Sequence, residues 1–127
     1  MTLRNLITKI PFEILTKKIQ SDLSFHNVYA SDLLSNALAS INPDTAWITV
    51  QVHQNILGIA SIKQCPLILF SEGARPEDSI ISLAEEKEIF LLGSSHPTFE
   101  LSGLLYCLLK EESSGKPNPT NTSISTN

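Results

Sequence analysis

The sequence predicts an α/β domain of three layers, in which a mainly parallel sheet is covered by helices on both faces. Three units of strand followed by helix lie between Trp47 and Lys110 with short loops, and such repeats specify parallel strands with right-handed crossovers. The segments Leu67–Phe70 and Ile89–Leu92 are apolar throughout, which is typical of strands covered on both faces. A chain of 127 residues has the size of one domain.

The chain begins with a helix and two short strands. Apolar residues fall at helical spacing from Leu3 to Ile10, behind the N-cap residue Thr2, and Pro11 ends the run. The segment Phe12–Leu15 has the alternation of a short strand with one buried face. A second strand is predicted over Phe25–Ala30.

A second helix follows Ser31 and Asp32, either of which can cap it. Its predicted apolar stripe consists of Leu33, Leu34, Ala37, Leu38 and Ile41. After a turn at 42–45, the segment Trp47–Val52 is rich in β-branched residues and predicts the next strand. A third helix opens at His53–Asn55.

Two more helices follow the apolar strands. Pro76–Asp78 is a favourable helix entry, because an early proline and acidic side chains both suit a helix N-terminus. The last helix is predicted from Pro97 to Lys110. From Glu111 onward the chain is polar and has no apolar period. We therefore expect one domain over residues 1–111 and a disordered tail over 112–127.

Composition excludes several classes of function. The formal net charge is −4, and Lys17–Lys18 is the one adjacent basic pair, so a nucleic-acid partner is not expected. No stretch approaches the roughly 18 apolar residues of a membrane span, and the N-terminus lacks the apolar core of a signal peptide. A cytoplasmic location is therefore expected. Cys65 and Cys107 lie in apolar stretches, which predicts two buried and unreactive thiols.

The candidate binding residues gather where the predicted strands end. In open parallel sheets, ligands bind beyond the carboxyl ends of the strands, where helix N-termini present free N–H groups. The tentative ligand-binding residues form four groups. Gln51, His53, Gln54 and Asn55 follow the Trp47 strand, and Ser71 and Glu72, beside Gly73, follow the Leu67 strand. Ser94, Ser95, His96 and Thr98 follow the Ile89 strand, and Ser31 and Asp32 lie at the second helix. They could hold a small anion or a nucleotide phosphate. Alternatively, they are ordinary caps and turns, which this fold needs in any case.

Catalytic patterns are missing from the sequence. His53 and His96, with Glu72, could form a metal site or an acid–base pair, but they come from separate loops without HxH or HExxH spacing. No GxSxG or strand-linked GxGxxG pattern occurs, and the segment 114–117 lacks the first glycine of a phosphate-binding loop. We therefore predict no catalytic residue, no metal and no cofactor.

Three segments nevertheless resemble a known family: Tyr29–Ser35 (YASDLLS), Trp47–Asn55 (WITVQVHQN) and Pro97–Glu100 (PTFE). Together they resemble the DRTGG domain family, over about residues 1–110. The expected fold is also similar to the N-terminal domain of HPr kinase/phosphorylase. The Asp-Arg-Thr-Gly-Gly motif that names the family is missing, and the segment before Tyr29 contains no glycine pair.

DRTGG domains occur alone and as regulatory parts of CBS-domain pyrophosphatases and of some phosphotransacetylases. Free-standing members often lie in bacterial and archaeal gene clusters for hydrogenases or other electron-transfer systems. The resemblance thus implies a non-catalytic regulatory or protein-interaction domain, often homodimeric, with a partner enzyme or a small anionic ligand. Two alternatives stay open at this point: a small-ligand sensor at the strand ends, and a metal-assisted enzyme.

Overall fold

The computed structural model describes residues 1–18, 20 and 22–113. Its strands, in chain order, are β1 (Glu13–Ile14), β2 (Asn27–Ala30), β3 (Thr45–Thr49), β4 (Leu67–Phe70) and β5 (Phe90–Gly93). Its helices are α1 (Leu3–Lys9), α2 (Leu34–Ser40), α3 (Asn55–Lys63), α4 (Asp78–Glu86) and α5 (Thr98–Ser113). No helix in this part of the chain is long and apolar enough to cross a membrane.

The strands form one sheet in the order β1-β5-β4-β3-β2. Strands β2 to β5 are parallel, and the two-residue β1 pairs antiparallel with β5. Helices α2, α3 and α4 pack on one face of the sheet, and α1 and α5 pack on the other. The predicted three-layer α/β fold with a mainly parallel sheet is therefore confirmed.

The apolar strands connect the two halves of the core. In β4, Leu67 and Leu69 pack with α1 and α5, whereas Ile68 and Phe70 pack with α2, α3 and α4. All four side chains are fully buried. Because successive side chains of a strand point to opposite faces of the sheet, a strand covered on both faces must be apolar at every position. This explains the unbroken apolar runs in the sequence.

The predicted N-terminal cap of α1 is confirmed, whereas the predicted ends of β3 are not. The hydroxyl of Thr2 caps α1 by accepting a hydrogen bond from the Asn5 N–H at 3.1 Å. Strand β3 differs from its prediction, because it begins at Thr45 and ends at Thr49. The chain leaves the sheet there because the Val50 N–H binds a carboxylate, described below, and not a strand partner.

The predicted apolar stripes are only partly buried. On α2, Ala37 is buried, but the stripe residues Leu33 and Leu38 are 58% and 44% exposed. On α3, Ile62 is 71% exposed. The prediction that Leu33 and Leu38 belong to the core is therefore wrong. A helix on the outside of a three-layer domain has one face toward the sheet, so apolar residues beyond that face remain in contact with solvent.

The two cysteines have different environments. Cys65 is buried, its thiol donates to the Thr45 carbonyl at 3.2 Å, and burial raises the pKa of that thiol to about 11. The predicted burial of the thiol is confirmed there, and its raised pKa keeps it protonated and therefore poorly reactive. The prediction of burial is wrong for Cys107, which is exposed because α5 turns its buried stripe, formed by Leu101 and Leu105, toward the sheet.

Helix α5 continues to Ser113, two residues past the expected domain boundary. An ion pair lies at this end of the helix: the N-terminal ammonium of Met1 lies 2.7 Å from the Glu112 carboxylate and donates to the Phe25 carbonyl at 3.1 Å. The hydrogen bond from this ammonium lowers the pKa of Glu112. The rest of the predicted tail, 114–127, lies outside the described residues.

Shortening a buried side chain at the centre of the sheet should strongly lower the stability of the protein. We expect Leu69→Ala to lower the free energy of unfolding by about 2–5 kcal/mol, because it leaves a cavity among fully buried side chains. Ile62→Ala, at an exposed apolar position, is the matched control and should change the free energy of unfolding by less than about 0.5 kcal/mol. Urea denaturation measures both. Equal losses in the two variants would contradict the assignment of core and surface.

The ion pair between α5 and the N-terminus should make stability depend on pH. The folded-state pKa of Glu112 is lowered from its ordinary value of 4.5, so its contribution is present above the unfolded-state pKa and is lost as the pH falls through the folded-state pKa. Because Glu112 is 39% exposed, Glu112→Gln should cost at most about 1 kcal/mol at neutral pH.

Urea denaturation measures the loss of stability caused by Glu112→Gln. The loss should be seen at neutral pH and should disappear at a pH well below 4.5. The exposed Glu86 of α4 provides the control, since Glu86→Gln should have little effect at either pH. A loss for Glu112→Gln that is independent of pH would contradict the ion pair.

Candidate functional site

The loops after β2 and β3 are joined through Asp32. Its carboxylate oxygen Oδ1 accepts hydrogen bonds from the Thr49 hydroxyl at 2.9 Å and from the Val50 N–H at 2.8 Å. The Gln51 side-chain amide donates to the Asp32 carbonyl at 3.0 Å. The ends of two neighbouring parallel strands are thus tied together by one side chain.

Asp32 and Ser31 therefore do not cap α2, as one sequence interpretation expected. The N-cap position is Leu33, and no side-chain hydrogen bond is made there. The Ser31 hydroxyl accepts from the Leu33 N–H at 3.1 Å, and its carbonyl accepts from the indole N–H of Trp47 at 2.9 Å. The carboxylate of Asp32 lies instead at the strand ends, because two donors there have no other partner.

A second network joins the loops after β4 and β5. The Glu72 carboxylate accepts from the Thr98 N–H at 2.9 Å, at the start of α5. The hydroxyls of Ser71 and Thr98 lie 2.5 Å apart, and the Ser94 hydroxyl accepts from the His96 N–H at 3.0 Å. These five residues come from two separate stretches of sequence, which the fold brings together.

The backbone of the β4 loop is shaped by two consecutive residues with positive φ. Glu72 has φ 62° and Gly73 has φ 72°, the left-handed region that favours glycine. In this conformation the Glu72 N–H donates to the His96 carbonyl at 2.8 Å, and the Gly73 N–H donates to the Ser94 carbonyl at 2.9 Å. The two loops are therefore held to each other through main chain as well as side chains.

The two histidines of this edge have different partners. Nδ1 of His53 accepts from the Asn55 N–H at 3.1 Å, at the start of α3. Nδ1 of His96 lies 3.4 Å from the Glu100 carboxylate, one turn into α5. Within residues 1–18, 20 and 22–113, no group of three or more His, Cys, Asp and Glu side chains is placed to hold a metal ion.

Some predicted residues keep their side chains unengaged. Among the described residues, the side chains of Gln54, Asn55 and Ser95 make no hydrogen bond. Ser95 lines a cleft of about 390 Å³ together with Pro11, Phe12, Glu13, Gly73, Ala74, Gly93 and Ser94. Gln54 and Asn55 lie at one end of a second cleft, of about 500 Å³, whose walls are mainly apolar side chains of α2, α3 and α4.

The electrostatics of the edge affect what it can bind. The N–H groups of Val50 and Thr98, which could otherwise bind an anion, are already occupied by carboxylates of the chain itself. Arg75 brings positive charge to this edge. Its guanidinium, 47% exposed, lies 3.6 Å from the Glu13 carboxylate and 3.5 Å from that of Asp78. Sequence inspection missed both Arg75 and Thr49, because neither belongs to a recognisable motif.

No protein-family model and no curated protein matches the chain. Among solved structures, it is similar to the CBS and DRTGG domains of the regulatory region of Clostridium perfringens pyrophosphatase, complexed with the activator diadenosine tetraphosphate. The identity is 19%, the TM-score is 0.66, and the match covers 81% of this chain. The fold is DRTGG-like.

The expected resemblance to DRTGG domains is therefore confirmed in the fold. The match covers 45% of the pyrophosphatase regulatory region, so this chain spans less than half the length of that structure's chain. In the DRTGG-like fold of this chain, the candidate residues group into two networks, one around Asp32 and one around Glu72.

The bridging role of Asp32 can be tested by a double-mutant cycle. We expect Asp32→Ala to lower the free energy of unfolding by about 1–3 kcal/mol, because it leaves the donors of Thr49 and Val50 without a partner. Combined with Thr49→Val, it should show a coupling energy of about 0.5–3 kcal/mol, measured by urea denaturation. A residue that only capped α2 would show no coupling with Thr49.

Proposed function

We propose that the chain is a non-catalytic regulatory domain that senses a small ligand, a nucleotide or another anion, at the loops after β4 and β5. The observation that carries this proposal is the similarity of its fold to a pyrophosphatase regulatory region complexed with an activator nucleotide. Polar loops at the carboxyl ends of parallel strands are where ligands of open α/β sheets bind.

The cleft beside Ser94 and Ser95 offers polar groups for a phosphate. Ser95 offers a hydroxyl without a hydrogen-bond partner among the described residues, and Gly73 lets a ligand approach the backbone closely. Arg75 does not line this cleft, but it lies beside the cleft residue Glu13 and brings positive charge to its rim. Its contacts with Glu13 and Asp78 are long and partly exposed, and such pairs contribute at most about 1 kcal/mol. A phosphate can therefore compete with these carboxylates for the guanidinium.

The described residues offer little support for the metal-assisted enzyme that the sequence left open. The carboxylates of Asp32 and Glu72 accept structural hydrogen bonds, and the raised pKa of Cys65 keeps its thiol protonated. We retain a cytoplasmic location as part of the proposal. The link to hydrogenase or other electron-transfer clusters, and the similarity to HPr kinase/phosphorylase, stay predictions.

A second candidate function is protein interaction through self-association. It is favoured by the exposed apolar side chains of Leu38, 44% exposed, and Ile62, 71% exposed, which line one mainly apolar cleft. Exposed apolar surface of this kind is commonly found where proteins associate. The two functions are compatible, because a regulatory domain can bind its ligand and also form a homodimer.

Thermal unfolding tests the sensor function. We expect diadenosine tetraphosphate, adenine mononucleotides or inorganic phosphate to raise the melting temperature by several degrees, because a ligand that binds only the folded state stabilises it. Ser95→Glu should abolish this shift by placing a negative charge in the cleft. The free variant should melt like the wild type, since Ser95 is exposed.

The control is Ser61→Glu, which makes the same change at an exposed position of α3 and should keep the ligand-induced shift. No shift with any of these ligands, together with a dimer in light scattering, would reject the sensor in favour of the interaction domain. A shift that survives Ser95→Glu would place the ligand elsewhere on the domain.

A further inference from the structure

Strand β2 leaves one edge of the sheet open. It pairs with β3 on one side, where the Asn27 N–H donates to the Asp44 carbonyl and the Ser31 N–H donates to the Ile48 carbonyl. Alternate residues of a strand direct their backbone groups to opposite edges. The N–H and C=O groups of Val28 and Ala30 therefore point away from β3, and they have no hydrogen-bond partner among the described residues.

The opposite edge of the sheet is protected. Strand β1 is only two residues long, begins two residues after Pro11, and carries Glu13 in an ion pair with Arg75 at 3.6 Å. Short strands, prolines and charged side chains are the usual means by which proteins prevent edge pairing. Strand β2 is twice as long as β1, and the segment 23–31 contains no charged residue and no proline.

We propose that β2 pairs antiparallel with β2 of a second copy of this chain, so that one sheet of ten strands crosses the dimer. This proposal names the surface for the self-association given above as the second candidate function, and it rests on that function. A two-fold axis perpendicular to the sheet makes the two β2 strands antiparallel.

The backbone geometry favours one register for this pair. With Tyr29 on the two-fold axis, Val28 of each copy lies opposite Ala30 of the other. The outward N–H and C=O groups of these two residues then form four main-chain hydrogen bonds between the two copies, and every outward group has a partner. The edge is thus complementary to itself, as the interface of a two-fold dimer must be.

The absence of charge along this edge is compatible with a second copy as the partner. Each chain has a formal charge of −4, so two copies repel each other over much of their surface, and like charges brought together at an interface are costly. The uncharged segment 23–31 lies between Asp22 and Asp32. Along this segment, two copies can approach without placing like charges opposite each other.

Apolar and aromatic side chains beside β2 can extend the contact. A strand pair of four residues alone is smaller than a stable interface, which buries about 1,200–2,000 Å². On one face of the sheet, Leu33 follows β2 and is 58% exposed. On the other, α5 packs on β2, and its Tyr106, 62% exposed, lines a cleft with His26.

Sedimentation velocity of the full chain, over a range of micromolar concentrations, tests the proposal. We expect a dimer, and we expect Ala30→Pro to weaken it about ten- to hundredfold, because proline removes one outward N–H from each copy. This N–H has no role within the monomer, so circular dichroism and the melting curve of the monomer should stay near those of the wild type. The control Ala30→Val keeps the N–H and should keep the dimer.

Cross-linking tests the register without weakening the pair. In a Cys107→Ser background, Tyr29→Cys should form a disulfide dimer under mild oxidation, because residues opposite each other at a non-hydrogen-bonded position have Cα atoms about 4.5 Å apart. Val28→Cys is the control and should not cross-link, since the two copies of residue 28 are offset along the strands.

The outcomes distinguish a failure of the β2 pairing from a failure of the self-association on which it rests. A wild-type chain that is monomeric at every concentration would overturn both the β2 pairing and the self-association. A dimer that Ala30→Pro leaves intact, and that Tyr29→Cys does not cross-link, would overturn the pairing alone. The thermal shift with nucleotides depends on neither result.

Discussion

The burial of β3, β4 and β5 on both faces is the constraint from which the rest of the molecule follows. Every residue of these three strands is buried, because helices cover the sheet from both sides. A polar side chain within such a strand would lose water without gaining a partner. The polar residues Thr45 and Thr49 accordingly lie at the two ends of β3, and the chemistry of the domain is confined to the strand ends and the loops.

At the carboxyl ends of the strands, this confinement creates a surplus of hydrogen-bond donors. The first N–H groups after a strand, and those that open a helix, have no partner in the regular structure. The chain supplies its own acceptors, since Asp32 binds the Val50 N–H and Glu72 binds the Thr98 N–H. These carboxylates fix the loops in place, and they also limit where an anion can bind. The cleft beside Ser95 and the half-exposed Arg75 stay accessible near the ends of β4 and β5.

The two edges of the sheet also differ from each other. A sheet that is not closed into a barrel has two edge strands, and each exposes unpaired backbone groups. One edge carries the short β1 with its charged Glu13, whereas the other carries the uncharged β2. An acidic domain that keeps one part of its periphery free of charge retains a surface on which it can associate. In the proposed functions, the small ligand and the second copy bind to different parts of one small domain.

The sequence by itself determined the layered α/β architecture, the order of most elements, and the strand ends as the place of the polar residues. This was possible because apolar runs and helically spaced apolar residues indicate which parts of the chain are buried. Pairings between distant residues were decided only by the tertiary structure. Asp32 is a good helix cap in local sequence, and only the approach of β2 to β3 turns its carboxylate into a bridge to Thr49. Leu33 and Cys107 likewise have core-like surroundings in sequence, yet they are exposed, because local patterns do not define which side of an outer helix the sheet will cover.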